Sequence, residues 1–152
     1  MVTVLHVDDE PNDTELLRAA VRKAEIPFNL HNVEDAEHAI AYLSRQGVYA
    51  DHKTYHLPGL VLLDLKMPRV TGFEVLKWIR QHPEFSHIPV IVLSGSELQD
   101  DIHQAYAVGA NAYLVKPLGF EALVHMVKDI HAAWTATLPQ AQGSQPSLLA
   151  NN

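Results

Sequence analysis

The sequence predicts a doubly wound α/β domain, a five-stranded parallel sheet with helices on both faces, and three observations carry that prediction. Five short runs rich in Val, Leu and Ile recur along the chain, at Val2 to Val7, Phe28 to Val33, Leu60 to Leu63, Val90 to Leu93 and Ala112 to Val115. Longer stretches of helical period separate them, and strands that alternate with helices give a parallel sheet whose crossovers cover it. Finally, 152 residues with 47% hydrophobic and 19% charged suit one globular domain with an ordinary core.

Each helix has its own signals. Helix one is marked by Asn12 with Glu15 three residues on, a capping-box spacing, and by Leu16, Ala20 and Ala24 along one face. Helix two places Ala36, Ala39, Ile40 and Leu43 behind Asp35, and helix three places Phe73, Leu76 and Ile79 behind Thr71, with Glu74 completing a second capping-box pair. Helix four runs through Ile102, Ala105 and Tyr106 to a stop at Gly109. Helix five carries Phe120, Leu123, Val124, Val127 and Ile130, which completes a domain over residues 1–134. Residues 135–152 form a tail, and from Pro139 onward Gln, Ser, Pro and Asn dominate, a composition expected to stay disordered and too short for an output domain. The connection from Gln46 to Pro58 exceeds the usual crossover length and holds Tyr49, His52, Tyr55 and His56, so it is a candidate partner-binding loop as well as a simple surface insertion.

Charge and composition exclude several functions. A net charge of -7 disfavours non-specific binding to nucleic acid or to anionic membrane. The absence of cysteine removes disulfides, thiolate metal sites and cysteine nucleophiles. The start of the chain turns acidic after Val7 and shows no signal-peptide pattern, so a cytoplasmic protein is expected.

In open parallel sheets ligands bind beyond the carboxyl ends of the strands, where strand order reverses. Strand one ends in Asp8-Asp9, strand three in Asp64, strand four in Ser94-Gly95 and strand five in Lys116-Pro117. With the order 2-1-3-4-5, strands one and three are neighbours and three carboxylates meet, a cluster that is costly unless a cation neutralises it. Hard oxygen ligands point to Mg2+. A carboxylate can attack phosphorus, while a metal and a fixed cation, here Lys116, offset the charge on the transferring oxygens. Ser94 offers a hydroxyl donor, and Gly95 allows close approach of backbone to a phosphoryl group. Singly, an acidic pair is often a helix cap and Ser-Gly or Lys-Pro a turn; the joint placement is what argues for a site.

At these residues the sequence resembles the response-regulator receiver family of bacterial two-component systems, from Val2 to about Ala133. The motifs are Asp8-Asp9, the run Asp64-Leu65-Lys66-Met67-Pro68 followed by Gly72, Ser94-Gly95, and Tyr113 three residues before Lys116-Pro117. The resemblance implies a flavodoxin-like fold and a phosphoacceptor at Asp64. It further implies magnesium bound by Asp9, Asp64 and the backbone carbonyl of Lys66, with Asp8 acting through water, and a cis Lys116-Pro117 bond. Ser94 and Tyr113 would be the switch residues, read out through helix four, strand five and helix five. The donor would be a sensor histidine kinase. Similarity to stand-alone phytochrome-associated regulators implies a bacterial phytochrome as that kinase and a homodimer through the readout surface, to which Phe120 and Trp134 are candidate contributors.

Departures from the family pattern are few. Thr71 stands where many receivers have Asp, and Ser94 replaces the commoner Thr. Lys66 and Ser96 cannot orient a hydrolytic water as a carboxylate or amide does, so a long-lived phosphoryl state is expected. Asp8-Asp9 argues against a flavin carrier, whose phosphate two carboxylates would repel. Lys66 argues against an aspartyl phosphatase, and the filled motif argues against a phosphorylation-independent scaffold. Among the ten histidines, His52 and His56 are expected at the surface and His6 is expected to be packed; none is assigned a site.

Overall fold

The computed structural model describes residues 1–67 and 69–137. Among these, five strands, β1 (Val2–Val7), β2 (Phe28–Val33), β3 (Leu60–Leu63), β4 (Val90–Ser94) and β5 (Ala112–Val115), form one sheet in the order β2-β1-β3-β4-β5. All four pairings are parallel. Five helices alternate with them: α1 (Pro11–Ala24), α2 (Ala36–Leu43), α3 (Gly72–Gln81), α4 (Gln99–Val108) and α5 (Phe120–Thr137). Among the described residues no helix is long and apolar enough to cross a membrane.

Strand side chains alternate between two cores because the pleat has period two. Leu5, Val7, Val61, Leu63, Val90 and Val92 pack with Ala39, Leu43, Leu76, Ile79 and Ala105 of α2, α3 and α4. Val4, Leu60, Leu62, Ile91 and Ala112 pack with Leu17, Ala20, Val124, Val127 and Ile130 of α1 and α5. The sheet is thus buried on both faces, which is why its strands read as near-continuous apolar runs.

Some local expectations change. Helix α1 begins at Pro11, whose fixed φ and missing N–H suit a first turn, so Asn12 lies inside the helix and Glu10 is the cap residue. The buried stripe is Leu17, Ala20 and Val21, leaving Leu16 47% exposed. Asp35 caps α2 as expected, its carboxylate accepting the His38 N–H at 2.8 Å. Thr71 occupies the cap position of α3 but makes no side-chain cap bond, so the box with Glu74 does not form; instead the Glu74 N–H donates to the Thr71 carbonyl at 3.1 Å. Gly109 ends α4 at φ 122°, a conformation that suits glycine. Helix α5 continues to Thr137, through the first residues of the expected tail 135–152; residues 138–152 lie outside the described residues, as does Pro68.

The long connection is anchored rather than loose. Tyr49 and Tyr55 pack on Tyr42 with ring centroids at 5.2 and 5.8 Å, and the Tyr42 hydroxyl donates to the His56 carbonyl at 2.9 Å. Two of the four aromatic or histidine side chains of the candidate partner-binding loop are therefore used internally, while His52 and His56 are exposed. Trp134 likewise packs against the α1/α5 core and donates to the Gly59 carbonyl at 3.4 Å, leaving it partly buried.

Candidate functional site

Parallel register brings the strand ends to one edge. Val7 is paired with Leu63, the Asp64 N–H donates to the Val7 carbonyl at 2.9 Å, and the Lys116 N–H donates to the Ser94 carbonyl at 2.8 Å. The residues following β1 and β3 are thereby placed side by side, and Lys116 stands beside the end of β4. Asp8, Asp9 and Asp64 each offer a carboxylate oxygen, and these oxygens lie within 4.8 Å of one another. Asp8 and Asp64 are buried and Asp9 is exposed.

Lys116 enters this cluster from β5. Its Nζ donates to Asp8 Oδ2 at 3.0 Å, to Asp64 Oδ2 at 3.2 Å and to Asp13 Oδ2 at 2.6 Å. Burial alone would push the ammonium down, but these carboxylates raise it above the ordinary lysine value, so it stays charged. The two buried carboxyls diverge. Burial raises Asp64 above the usual carboxylate range despite Lys116 and the Lys66 N–H, which donates to Oδ1 at 3.2 Å. Asp8 faces the same burial, but His6, the Glu10 N–H and Lys116 outweigh it and hold its carboxyl below the usual value.

Gly72 allows Asp64 to sit where it does. The Gly72 N–H donates to the Leu65 carbonyl at 3.0 Å, and a Cβ there would collide with the Asp64 carbonyl oxygen and come within 2.9 Å of Leu65 Cα. Only glycine lets α3 start this close to the end of β3. Gly95 borders open space, since a Cβ added to it would meet nothing within 4 Å.

Ser94 is fully buried, with Oγ accepting the Ser96 N–H at 3.3 Å. Tyr113 is also buried, and its hydroxyl donates to the Ser96 carbonyl at 2.8 Å. The two residues expected to switch are thus joined through Ser96, whose own hydroxyl donates to Asp101 of α4 at 2.5 Å. Lys66 has an exposed side chain beside the cluster. No peptide bond among the described residues is cis, so the Lys116-Pro117 bond is trans, contrary to expectation. Trans is the lower form of an X-Pro bond by about 0.5–1 kcal/mol, and Lys116 reaches all three carboxylates from it.

Two members of the site escape a reading of the sequence. Asp13 lies in the first turn of α1, where an acidic residue is ordinarily explained by the helix dipole. His6 is packed, as expected, but its Nε2 also lies 3.6 Å from Asp8 Oδ2. The only signal for it was the alternation that puts residues 6 and 8 on one side of the strand.

Hard carboxylate oxygens gathered in one pocket are a donor set that fits a small divalent cation. Comparison with known proteins agrees with this chemistry. Residues 4–128 match the family model described as the response regulator receiver domain. The chain is similar to response regulator Rcp1 of Synechocystis sp., 36% identical over 140 residues, which is 91% of this chain and 93% of that protein. The Mn(2+)-bound form of Rcp1 superposes with a TM-score of 0.75, at 32% identity, covering 96% of this chain and 99% of that one. The phosphorylated cyanobacterial phytochrome response regulator RcpA gives a TM-score of 0.81 at 35% identity, covering 90% and 95% of the two chains. RPA3017, a response regulator in red light signaling of R. palustris, gives 0.84 at 34% identity, covering 96% and 99%.

Proposed function

The chain belongs to the response regulator receiver family, and from that premise we propose that Asp64 accepts a phosphoryl group from a sensor histidine kinase and that the signal leaves by protein contact. Phosphorylation on an aspartate is standard for the family. The observation that carries the assignment to Asp64 is its carboxylate's position between Lys116 Nζ, 3.2 Å away, and the carboxylates of Asp8 and Asp9. A carboxylate oxygen of Asp64 attacks phosphorus, the P–O bond forms, and the P–N bond to the kinase histidine breaks.

The chain's own groups divide the work. Asp9, Asp64 and the Lys66 carbonyl would hold Mg2+, with Asp8 beside them, and the ion would offset charge on the transferring oxygens. Lys116 holds one phosphoryl oxygen as a fixed cation, the Ser94 hydroxyl donates to another, and open space beside Gly95 leaves room for the group. Turning the Ser94 hydroxyl toward the phosphoryl group releases the Ser96 N–H, and Ser96 links that movement to Tyr113 and α4. Because the Ser96 hydroxyl is engaged by Asp101 and Lys66 offers no general base, spontaneous hydrolysis is slow.

The kinase we assign is a bacterial phytochrome, on the strength of the named light-signalling relatives. Leu98, Tyr106, Val115, Leu118 and Phe120 are exposed apolar residues on α4, β5 and α5 and the turns that flank them, which supports a homodimer through that face. We take residues 1–134 as the receiver unit, followed by a tail, and place the protein in the cytoplasm, where its kinase donor would meet it.

The test is labelling by acetyl phosphate, or by a phosphorylated kinase, with magnesium. Label that needs the metal, persists for hours in the wild type and is absent from Asp64→Asn is the expected result. Wild-type protein that takes no label from any donor would overturn the reading.

A further inference from the structure

Lys116 has three N–H donors, and the structure accounts for all three, with Asp8 at 3.0 Å, Asp64 at 3.2 Å and Asp13 at 2.6 Å. A phosphoryl group on Asp64 brings about -1.5 to -2 of charge and three strong acceptor oxygens. The ammonium has no spare donor for it: the one on Asp64 can pass to the phosphoryl group that Asp64 then carries, but a second contact with that group requires Asp8 or Asp13 to be relinquished.

The three carboxylates differ in what release would cost. The Asp8 side chain has no exposed surface, so release would leave it buried without this cation, whereas phosphorylated Asp64 carries its charge on the phosphoryl oxygens and keeps Lys116 through them. Asp13 is 35% exposed and stands on the first turn of α1, so water and the amino end of that helix can take over its charge. It also lies outside the group of carboxylates suited to a metal.

We propose that Asp13 is a displaceable partner of Lys116: it holds the ammonium in the unphosphorylated protein and yields it to the phosphoryl group, which frees the first turn of α1 from the residue that follows β5. Asp13 is then a positioning residue that works through Lys116. The inference rests on the receiver reading of Asp64. It makes phosphorylation legible at α1, on the opposite face of the sheet from α4. It also makes Asp13 a brake, because each gain of a contact between Lys116 and the phosphoryl group comes at the expense of this ion pair.

A brake predicts a gain on removal, which loss of a merely structural contact does not produce. The experiment is titration of the full chain with beryllofluoride at saturating Mg2+, by calorimetry, for the wild type, Asp13→Asn, Asp13→Ser and Asp13→Glu. A partly exposed ion pair is worth up to about 1 kcal/mol, so Asp13→Asn and Asp13→Ser are expected to bind about fivefold more tightly. Asp13→Glu is expected to return toward the wild-type affinity, and titration with Mg2+ alone to change less than about twofold in each variant. Wild-type protein that binds beryllofluoride while both neutral variants bind equally or more weakly overturns the role of Asp13 and leaves the receiver reading standing. Wild-type protein that binds no beryllofluoride overturns both.

Discussion

Lys116 at the carboxyl end of the strands and Arg80 at the amino end each gather acceptors from several elements, but the acceptors differ in kind. Lys116 faces three carboxylates. Arg80 faces neutral oxygens: its guanidinium donates to the carbonyls of Gly109, Ser86 and Ile88 at 2.9, 3.0 and 2.9 Å, and to Asn111 Oδ1 at 2.8 Å. Burial without a counter-charge pushes Arg80 below its ordinary value, whereas the carboxylates push Lys116 above its own. The planar fork of Arg80 ties α3, the end of α4 and the approaches to β4 and β5 in a geometry with no alternative partner. Lys116 stands among carboxylates of unequal burial, the proposed partners of metal and phosphoryl group. One end of the sheet is a staple and the other an exchange point.

The largest effect should come from breaking the staple. Arg80→Ala leaves three carbonyls and Asn111 short of a donor and is expected to cost about 3 kcal/mol, lowering the melting temperature by roughly 6–12 °C. Arg80→Lys should recover less than half of that, because an ammonium cannot reproduce the fork. Magnesium affinity at the far end is expected to change less than about twofold, measured by calorimetry; a large change would mean that the two ends are coupled and the contrast between them false.

Magnesium addition sharpens the contrast from the other side. At about a hundredfold excess over Kd it should add roughly 2.7 kcal/mol to the unfolding free energy of the wild type. Asp9→Asn should lose most of that increment while leaving metal-free stability nearly unchanged, because Asp9 is exposed. Thermal melts with and without the ion decide it.

Smaller effects should separate the two buried carboxylates in the metal-free protein. Asp64, held above the usual range, opposes folding when ionised, so Asp64→Asn is expected to stabilise by about 1 kcal/mol at neutral pH; Asp8, held below it, favours folding when ionised, so Asp8→Asn is expected to destabilise by a similar amount. Effects of the same sign in denaturant unfolding would show that the cluster acts as undifferentiated repulsion. The smallest effect is one of slope with pH. As pH falls through the raised Asp64 value the folded state takes up a proton ahead of the unfolded chain and gains stability, whereas the Asp8 contribution is lost at lower pH, as it falls from the ordinary carboxylate value through the depressed one. Asp64→Asn removes the gain, so as pH falls through the raised Asp64 value its stability should fall away from that of the wild type, in melts recorded without metal.

Much of this was legible in the residues. The five strands were visible because a sheet buried on both faces demands apolar runs, and the site was visible because ligand chemistry in such sheets collects at strand ends. Asp35 was legible as a cap because its oxygen sits three residues before the N–H it accepts. Thr71 and Glu74 had the same spacing and formed no box, since spacing permits a cap bond without requiring it. Leu16 and Leu17 could not be told apart until Pro11 set the start of α1, because one residue rotates a helix by about 100°.

What the sequence determined alone is therefore the chemistry and its order along the chain: Asp8-Asp9, Asp64, Ser94 and Lys116, each placed at the end of a strand by local pattern. Only the tertiary structure decided which groups share a proton or a cation. Asp13 became a partner of Lys116 across 103 positions of chain, and Ser96 became the joint between Ser94, Tyr113 and Asp101, because parallel crossovers bring distant segments within hydrogen-bonding distance. The opposite shifts of Asp8 and Asp64 arise the same way: the two carboxyls are chemically identical, and only the surrounding donors make one an anion and the other a more reluctant one.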